Sequence, residues 1–238
     1  MKRESEKIYT VENDVGNVLD WDAVVMLQDF LEERKRMVER QLRGRGIINA
    51  RVLAAFESIP RHLFVPQESR EWAYEDCPHL IGFGQTISQP FIVAYMTQAL
   101  ELDGSEHMLE VGTGSGYQAA ILSCLVREVH TVELIPSLAD RAAQTLTGLG
   151  LTNVFIHIGD GSQGWAESAP YDAILVSAAA PRVPKSLLDQ LADHGRMILP
   201  VGKAGFQMLE FWRREGEFFS HETLLSVAFV PLRGKEGI

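Results

Sequence analysis

The run LEVGTGSGYQAA places glycines at 112, 114 and 116, between an apolar strand-like segment and an apolar helical one. Gly112 permits a tight turn after the strand, and Gly114 and Gly116 let the backbone approach a ligand closely. In open α/β sheets ligands lie outside the carboxyl ends of the strands, where this loop falls. Its spacing is G-x-G-x-G. The dinucleotide fingerprint requires G-x-G-x-x-G, and Tyr117 stands where the last glycine belongs. A pyrophosphate is therefore disfavoured, and a smaller zwitterion whose carboxylate meets backbone N–H groups fits better. Two acids extend the pattern. Glu133 ends the next strand-like run, about 20 residues on, where an acid commonly holds ribose hydroxyls. Asp160, in GDG, ends the third, where it can accept from an exocyclic purine amine while glycines leave room for the ring. A purine nucleoside joined to an amino-acid carboxylate describes S-adenosylmethionine. The plain alternative is a set of tight turns with solvated acids.

A second stretch, GQTISQPFIVAYM, puts Thr86 and Ser88 just before an apolar helical run. Ser88 is placed to cap that helix, with Pro90 inside the first turn. Helix N-terminal N–H groups also attract anions, so capping and the orienting of an anionic substrate can share one turn. Glu110, immediately before the glycine loop, either braces the loop or contacts the ligand. His62, in PRHLF, reads as structural, His79 as part of an irregular substrate-side segment, and Trp165 as packing behind the third loop.

The elements that position these residues follow from periodicity. Residues 1–20 are polar and aperiodic. From Trp21 a helical pattern runs through Val24, Leu27, Leu31, Met37, Val38 and Leu42 and ends in the glycines of RGRGI. Asn49 caps a second helix that Pro60 closes. Residues 60–87 read as loop with short elements, and a helix is expected from Ser88 to Leu102. Strands HMLEVG, EVHTVEL, NVFIHIGD, YDAILVSAAA and RMILPVG then alternate with helices GYQAAILSCLV, PSLADRAAQTLTGLG and PKSLLDQLADHG. Cys124 is expected in the core face of the first of these helices. FQMLEFWRR and HETLLSVAFVPL read as a closing antiparallel pair whose order in the sheet is left open. The fold class is α/β: a doubly wound, mostly parallel sheet with helices on both faces and a helical N-terminal region.

The formal net charge of −10 argues against a nucleic-acid partner. The basic cluster Arg34, Lys35, Arg36, Arg40, Arg43 and Arg45 reads as a solvated helix face balanced by Glu32, Glu33 and Glu39. Cys77 and Cys124 lie far apart and outside any CxxC pattern, which speaks against a metal site or a disulfide framework. The N-terminal residues carry no apolar signal core, and no apolar run approaches the ~18 residues of a membrane span. A cytoplasmic protein without membrane or nucleic-acid partners is expected.

These residues, together with GQTISQP, resemble the protein-L-isoaspartate O-methyltransferase family of class I S-adenosylmethionine-dependent enzymes. The likeness covers about residues 30–232, with MVERQLRGRGI, RVLAAFESIPRHLFVP, AYEDCPHLIGFGQTISQP, LEVGTGSGYQAAIL, GDGSQGW, APYDAILVSAAAP and FVPL in order. The glycine loop is shared with many methyltransferases; GQTISQP and PRHLFVP are more specific. The resemblance implies a Rossmann-like methyltransferase domain over 30–232. Residues 30–103 would form its helical and substrate-loop part and 104–232 its cofactor-binding sheet, with 1–29 an extension of unknown role and 233–238 a tail. It further implies S-adenosylmethionine bound by Gln85, Thr86, Ile87, Ser88, Gly112, Thr113, Gly114, Gly116, Glu133, Leu134, Asp160, Gly161 and Gln207. Substrate would meet Ile81, Thr86, Ser88, Val230 and Leu232, with Ser88 the active-site serine. Isoaspartyl proteins and peptides are the implied substrates and a monomer the implied state. Two departures stand out. Pro78-His79-Leu80-Ile81-Gly82 replaces the usual P-L-P-I-G, which removes a stiffening proline, and Ser177 replaces a common threonine but keeps the hydroxyl.

The implied reaction methylates the α-carboxylate of an L-isoaspartyl residue, and the ester then collapses to a succinimide. Such a carboxyl group, with a pKa near ~3.5, is anionic at neutral pH and needs no base. Orientation and dehydration should dominate, and Ser88 would orient the carboxylate without attacking anything. A methyltransferase acting on RNA or a specialised peptide, and a non-catalytic nucleoside-binding module, are the competing readings. The acidic composition and the side-chain-poor SAAAP segment disfavour the RNA version.

Overall fold

The computed structural model describes residues 30–238. Helix α1 (Leu31–Arg36) passes into a π-helical turn over Met37–Leu42 and a 3-10 turn over Arg43–Arg45. One continuous α-helix was expected here, and its portion before Phe30 lies outside the described residues. Met37, Val38 and Leu42 are buried along this segment. Gly46, at φ 92°, ends the segment. Helix α2 (Ala50–Ser58) starts as expected, with Asn49 Oδ1 accepting from the Arg51 and Val52 N–H groups.

The irregular segment that follows holds two 3-10 turns, Arg61–Phe64 and Gln67–Trp72. It also holds a small antiparallel hairpin, β1 (His79–Gly82) with β2 (Gln85–Ile87), that periodicity did not reveal. Helix α3 (Pro90–Ala99) is shorter than expected at both ends. Its N-cap is Gln89, without a side-chain cap bond, so Ser88 does not cap it. Pro90 fixes the first helical residue and moves the start two positions past the serine. Glu101, at φ 51°, turns the chain out of the helix.

The main sheet comprises β3 (His107–Val111), β4 (Glu128–Glu133), β5 (Val154–Ile158), β6 (Tyr171–Val176), β7 (Leu191–Lys203), β8 (Phe206–Glu215) and β9 (Phe218–Val227). Their order across the sheet is β5-β4-β3-β6-β7-β8-β9. The first five are parallel and the last two close it as an antiparallel meander. The connecting helices are α4 (Tyr117–Ser123), α5 (Pro136–Gly148) and α6 (Lys185–Asp189). The expected doubly wound α/β sheet is therefore present, and the meander fixes the strand order that the sequence left open. All of β6 except Asp172 is buried, as a strand covered on both faces should be.

Two further expectations are corrected. Cys124 is exposed at the end of α4 rather than in the core, because the helix stops at Ser123. The helix expected over 184–195 stops at Asp189. Leu191 already pairs with Tyr171, and an irregularity before Arg196 resets the register. His194, at φ 60°, and the Asp193 carboxylate, which accepts from the His194 and Gly216 N–H groups, shape that bulge.

One hydrophobic cluster joins the N-terminal helices to one face of the sheet, including Met37, Phe56, Phe64, Tyr117, Leu175 and Ile198. A second, around Leu109, Val132, Tyr171 and Leu199, fills the other face. The helical part thus shares its core with the sheet. No helix among the described residues is long and apolar enough to cross a membrane.

Candidate active site

A cleft of roughly 920 Å³ including its open mouth lies at the carboxyl ends of β3, β4 and β6, against the start of α3. Its floor is the turn after β3. Gly112, Thr113 and Gly114 line it, with Gly112 at φ 92° and Gly114 at φ 55°. These conformations strain any residue bearing a Cβ. Gly116 does not reach the cleft. It sits under α5, where an added Cβ would lie 3.2 Å from the Ala142 Cβ.

Glu133 and Leu134 form the next part of the wall. The Glu133 carboxylate accepts from the Gly114 N–H at 2.8 Å and the Ile135 N–H at 3.0 Å, which ties the glycine turn to the end of β4. Each oxygen keeps a second lone pair for a ligand hydroxyl. Glu110, buried beneath the turn, lines the cleft as well. Thr113 and Thr131 hydroxyls lie 2.7 Å apart, and Thr131 donates to Glu110 Oε2 at 2.6 Å. Glu110 Oε1 has no hydrogen-bond partner. Burial pushes the Glu110 carboxyl up to about 8, the Thr131 hydrogen bond opposing and the Glu133 charge adding to the effect. Glu110 therefore braces the loop through two threonines, and its second oxygen is buried without a partner.

The third turn behaves differently from expectation. Gly161 lines the cleft, but Asp160 does not. Its carboxylate accepts from the Ser162 N–H (3.0 Å) and hydroxyl (2.6 Å), the Gln163 amide (3.1 Å) and the Lys235 N–H (2.8 Å). Four donors fill a carboxylate's acceptor sites, so none is left for a purine amine in this arrangement. Partial burial works against ionisation here, and the Lys235 and Ser162 hydrogen bonds outweigh it, holding Asp160 below the usual carboxylate range. Residues 233–238, expected as a tail, are thus fastened to this turn, with Glu236 N–H also donating to Ser162 Oγ.

Gln85, Thr86, Ile87 and Ser88 line the mouth on the α3 side. The Ser88 carbonyl accepts from Arg61 Nη2 at 2.7 Å, and Arg61 Nε donates to the Ala73 carbonyl at 2.7 Å. Arg61 is fully buried, its guanidinium carbon 4.8 Å from the centre of the Tyr117 ring. Sequence reasoning did not single out Arg61; a charged residue in the apolar PRHLF turn is the one signal it offered. Opposite, Val230 and Leu232 close the cleft, and the backbone of this segment pairs with Ala179. Gln207 stands behind that wall, not in it: its amide exchanges two hydrogen bonds with the Phe229 backbone, at 2.6 and 3.1 Å. Ile81 lies beside the cleft in a second hollow shared with Phe64 and Arg141. Tyr117, Gln118 and Phe229 line the cleft unanticipated, and Ser177 lines it as well. His62 is buried with Nδ1 2.9 Å from the Tyr74 hydroxyl, the structural role expected of it.

The profile of the family described as "Protein-L-isoaspartate(D-aspartate) O-methyltransferase (PCMT)" matches residues 32–237. The chain belongs to this family. The protein-L-isoaspartate O-methyltransferase 1 of Syntrophobacter fumaroxidans is 51% identical over 209 residues, covering 88% of this chain and 98% of that one. The protein-L-isoaspartate O-methyltransferase 2 of Pelobacter propionicus is 55% identical over 206 residues, covering 86% and 92%. A solved protein-L-isoaspartate O-methyltransferase superposes with a TM-score of 0.77 at 28% identity, over 86% of this chain and 67% of that one. A putative family member from Plasmodium falciparum, solved in complex with S-adenosyl-L-homocysteine, superposes with a TM-score of 0.73 at 25% identity, over 84% and 98%. For a methyltransferase of this family the cleft fits the cofactor on its own chemistry. The glycine turn leaves space that a Cβ would fill, an acid ends β4, and Glu110, which has one buried oxygen unpartnered, is among the lining residues.

Proposed function

We propose that this methyltransferase positions the α-carboxylate of an L-isoaspartyl residue at Ser88, between the α3 turn and the Val230–Leu232 wall, and uses no general base. The activity itself is that of the family, methyl transfer from S-adenosylmethionine to isoaspartyl residues as the start of their repair. When bound, the cofactor supplies a methyl group activated by its sulfonium. The Gly112–Gly114 turn would shape the pocket for its methionine part, Glu133 would hold its ribose hydroxyls, and Gly161 would floor its adenine.

The observation that carries this reading is the Ser88 turn. Ser88 lines the cleft, its side chain is not used to cap α3, and its backbone is gripped from behind by Arg61. A hydroxyl held this way can donate one hydrogen bond to a carboxylate. More donors would quiet the nucleophile, since methyl transfer cancels the charges of both reactants. Holding the carboxylate in line can supply up to about 7–11 kcal/mol. Thr86 offers a second polar wall. The methyl ester is a better leaving group than the carboxylate, so the succinimide forms without help from the chain.

Tritiated methyl transfer to an isoaspartyl peptide, beside its normal aspartyl twin, tests the reading. Base-labile label on the isoaspartyl peptide alone is expected. Label on neither, with cofactor bound, would point to another methyl acceptor. The same reading takes the enzyme to be a cytoplasmic monomer; a solution mass of twice 26.5 kDa would contradict the monomer.

A further inference from the structure

At the opposite ends of β3 and β4, three side chains converge that the methyl-transfer site does not use. His107 opens β3, Glu128 opens β4, and the two are direct partners in the parallel ladder; His130 follows two residues on. His107 Nε2 lies 2.6 Å from the Ser168 carbonyl oxygen. A carbonyl can only accept, so Nε2 carries the proton. The lone pair of the neutral ring, on Nδ1, then points at Glu128 Oε1 from 2.9 Å. A lone pair and a carboxylate at that distance repel, so a cation must lie between them: a proton or a metal ion.

His130 supplies the third corner. One ring nitrogen of His107, one of His130 and one Glu128 oxygen all lie within 4.8 Å of one another. We propose that His107, Glu128 and His130 bind a divalent transition metal of the zinc, nickel and copper class. Two imidazoles and one carboxylate suit these ions better than calcium or magnesium, which take oxygen ligands. The surroundings are those of a metal site. His107 donates its other nitrogen to a backbone carbonyl, and His130 Nδ1 lies 2.9 Å from His157 Nε2. Tyr171 stacks on His107 at 4.8 Å and Trp165 on His157 at 4.2 Å, which limits how the rings can turn. Arg127 Nη2, 3.1 Å from Glu128 Oε1, is the competing cation; it is largely exposed and free to turn away. Glu128 is itself partly exposed, so an ion can enter and keep water in its open positions.

Bound there, the ion would fasten β3 to β4 and to the Ser168 turn. The site lies about 16 Å along β3 from the glycine loop, by strand rise, so cofactor binding should not depend on it. The cysteine count argued against a metal; the two imidazoles, 23 positions apart, meet only once the strand register is known.

The test is calorimetric titration of zinc chloride into the chelator-treated full-length protein, with melting curves alongside. One ion per chain and a raised Tm are expected, because an ion that binds the folded state stabilises it. His107→Gln and His130→Gln should each weaken zinc binding by about tenfold or more and leave S-adenosylhomocysteine binding unchanged. The Cys77 and His79 pair, with Sγ and Nε2 3.7 Å apart, is the rival zinc ligand. Cys77→Ser/His79→Gln should therefore keep the ion. No zinc binding, equal affinity in the His107 variant, or loss in the Cys77/His79 variant would each overturn the proposal. Should the histidine variants not fold, ring NMR signals of the wild type decide. Zinc should move those of His107 and His130; movement confined to other histidines would refute the site.

Discussion

Arg61 donates to two carbonyls, Ala73 and Ser88, from a position sealed from water, and no carboxylate pairs with it among the described residues. It acts as a clamp between the substrate-side segment and the α3 turn. Arg61→Met removes both bonds but keeps much of the volume, so the buried Ala73 carbonyl is left without its donor, at a cost of about 1–3 kcal/mol, and the Ser88 turn loses its anchor. The expected kinetic signature is a fall in kcat with little change in cofactor affinity, read by steady-state rates and S-adenosylhomocysteine titration. Glu110 gives a pH prediction. Its folded-state pKa, about 8, is raised above the ordinary value of 4.5. The folded protein therefore holds a proton that the unfolded chain releases. Its stability contribution is full below pH 4.5 and is lost progressively as pH rises to about 8, a change of about 5 kcal/mol. Glu110→Gln does not titrate. Melting temperatures from pH 5 to 8 should show the wild type losing ground steadily to the variant; parallel curves would mean that Glu110 is ionised in the folded state. The sequence suggested a bracing role for Glu110 but not the Arg61 clamp. The carbonyls that Arg61 holds are 12 and 27 residues away, a relation no periodic pattern encodes.

At the scale of elements, the regular segments were legible because their signals are local. Asn49 before an apolar period predicts α2, and the structure places its side chain on the first free N–H groups. Asn49→Ala should cost about 0.5–2 kcal/mol, measured by denaturant unfolding at unchanged m-value. The continuous apolar run of β6 likewise announced a strand covered on both faces. Failures fell where tertiary contacts override local preference. The 184–195 segment reads as helix by pattern, but pairing of Leu191 with Tyr171 and the Arg214 hydrogen bond to the Leu191 carbonyl extend the chain instead. The β1–β2 hairpin is too short to show a period, and its turn relies on Phe83 at φ 55° between two glycines. Ser88 looked like a cap because the apolar run follows it; Pro90 sets the true start and leaves the hydroxyl to the cleft.

Across the whole molecule, the cleft is assembled from distant parts: the α3 turn, three strand ends and the 229–233 segment. The glycine turn, Glu133 and the Thr86–Ser88 mouth were visible in the sequence because they sit in short motifs. The placement of Asp160 and Gln207 was not, since each is decided by a partner elsewhere in the chain, Lys235 for one and Phe229 for the other. Gln207 is the hinge of this assembly, joining β8 to the substrate-side wall. Gln207→Ala leaves the Phe229 N–H without its acceptor, and should destabilise the chain by about 1–3 kcal/mol. It should also raise the KM for an isoaspartyl peptide more than that for the cofactor; equal effects on both would place Gln207 at the cofactor instead.

The central claim is that the Ser88 hydroxyl orients the substrate carboxylate and neither caps a helix nor attacks. Methyl transfer to an isoaspartyl peptide by Ser88→Ala, measured beside its melting temperature and S-adenosylhomocysteine affinity, tests it most directly. The account predicts a loss of kcat of about tenfold or more, the value of a single hydrogen bond of about 1.4 kcal/mol or better, with Tm and cofactor affinity unchanged. Full activity in the folded variant, or a loss of activity that merely follows a loss of stability, would contradict it.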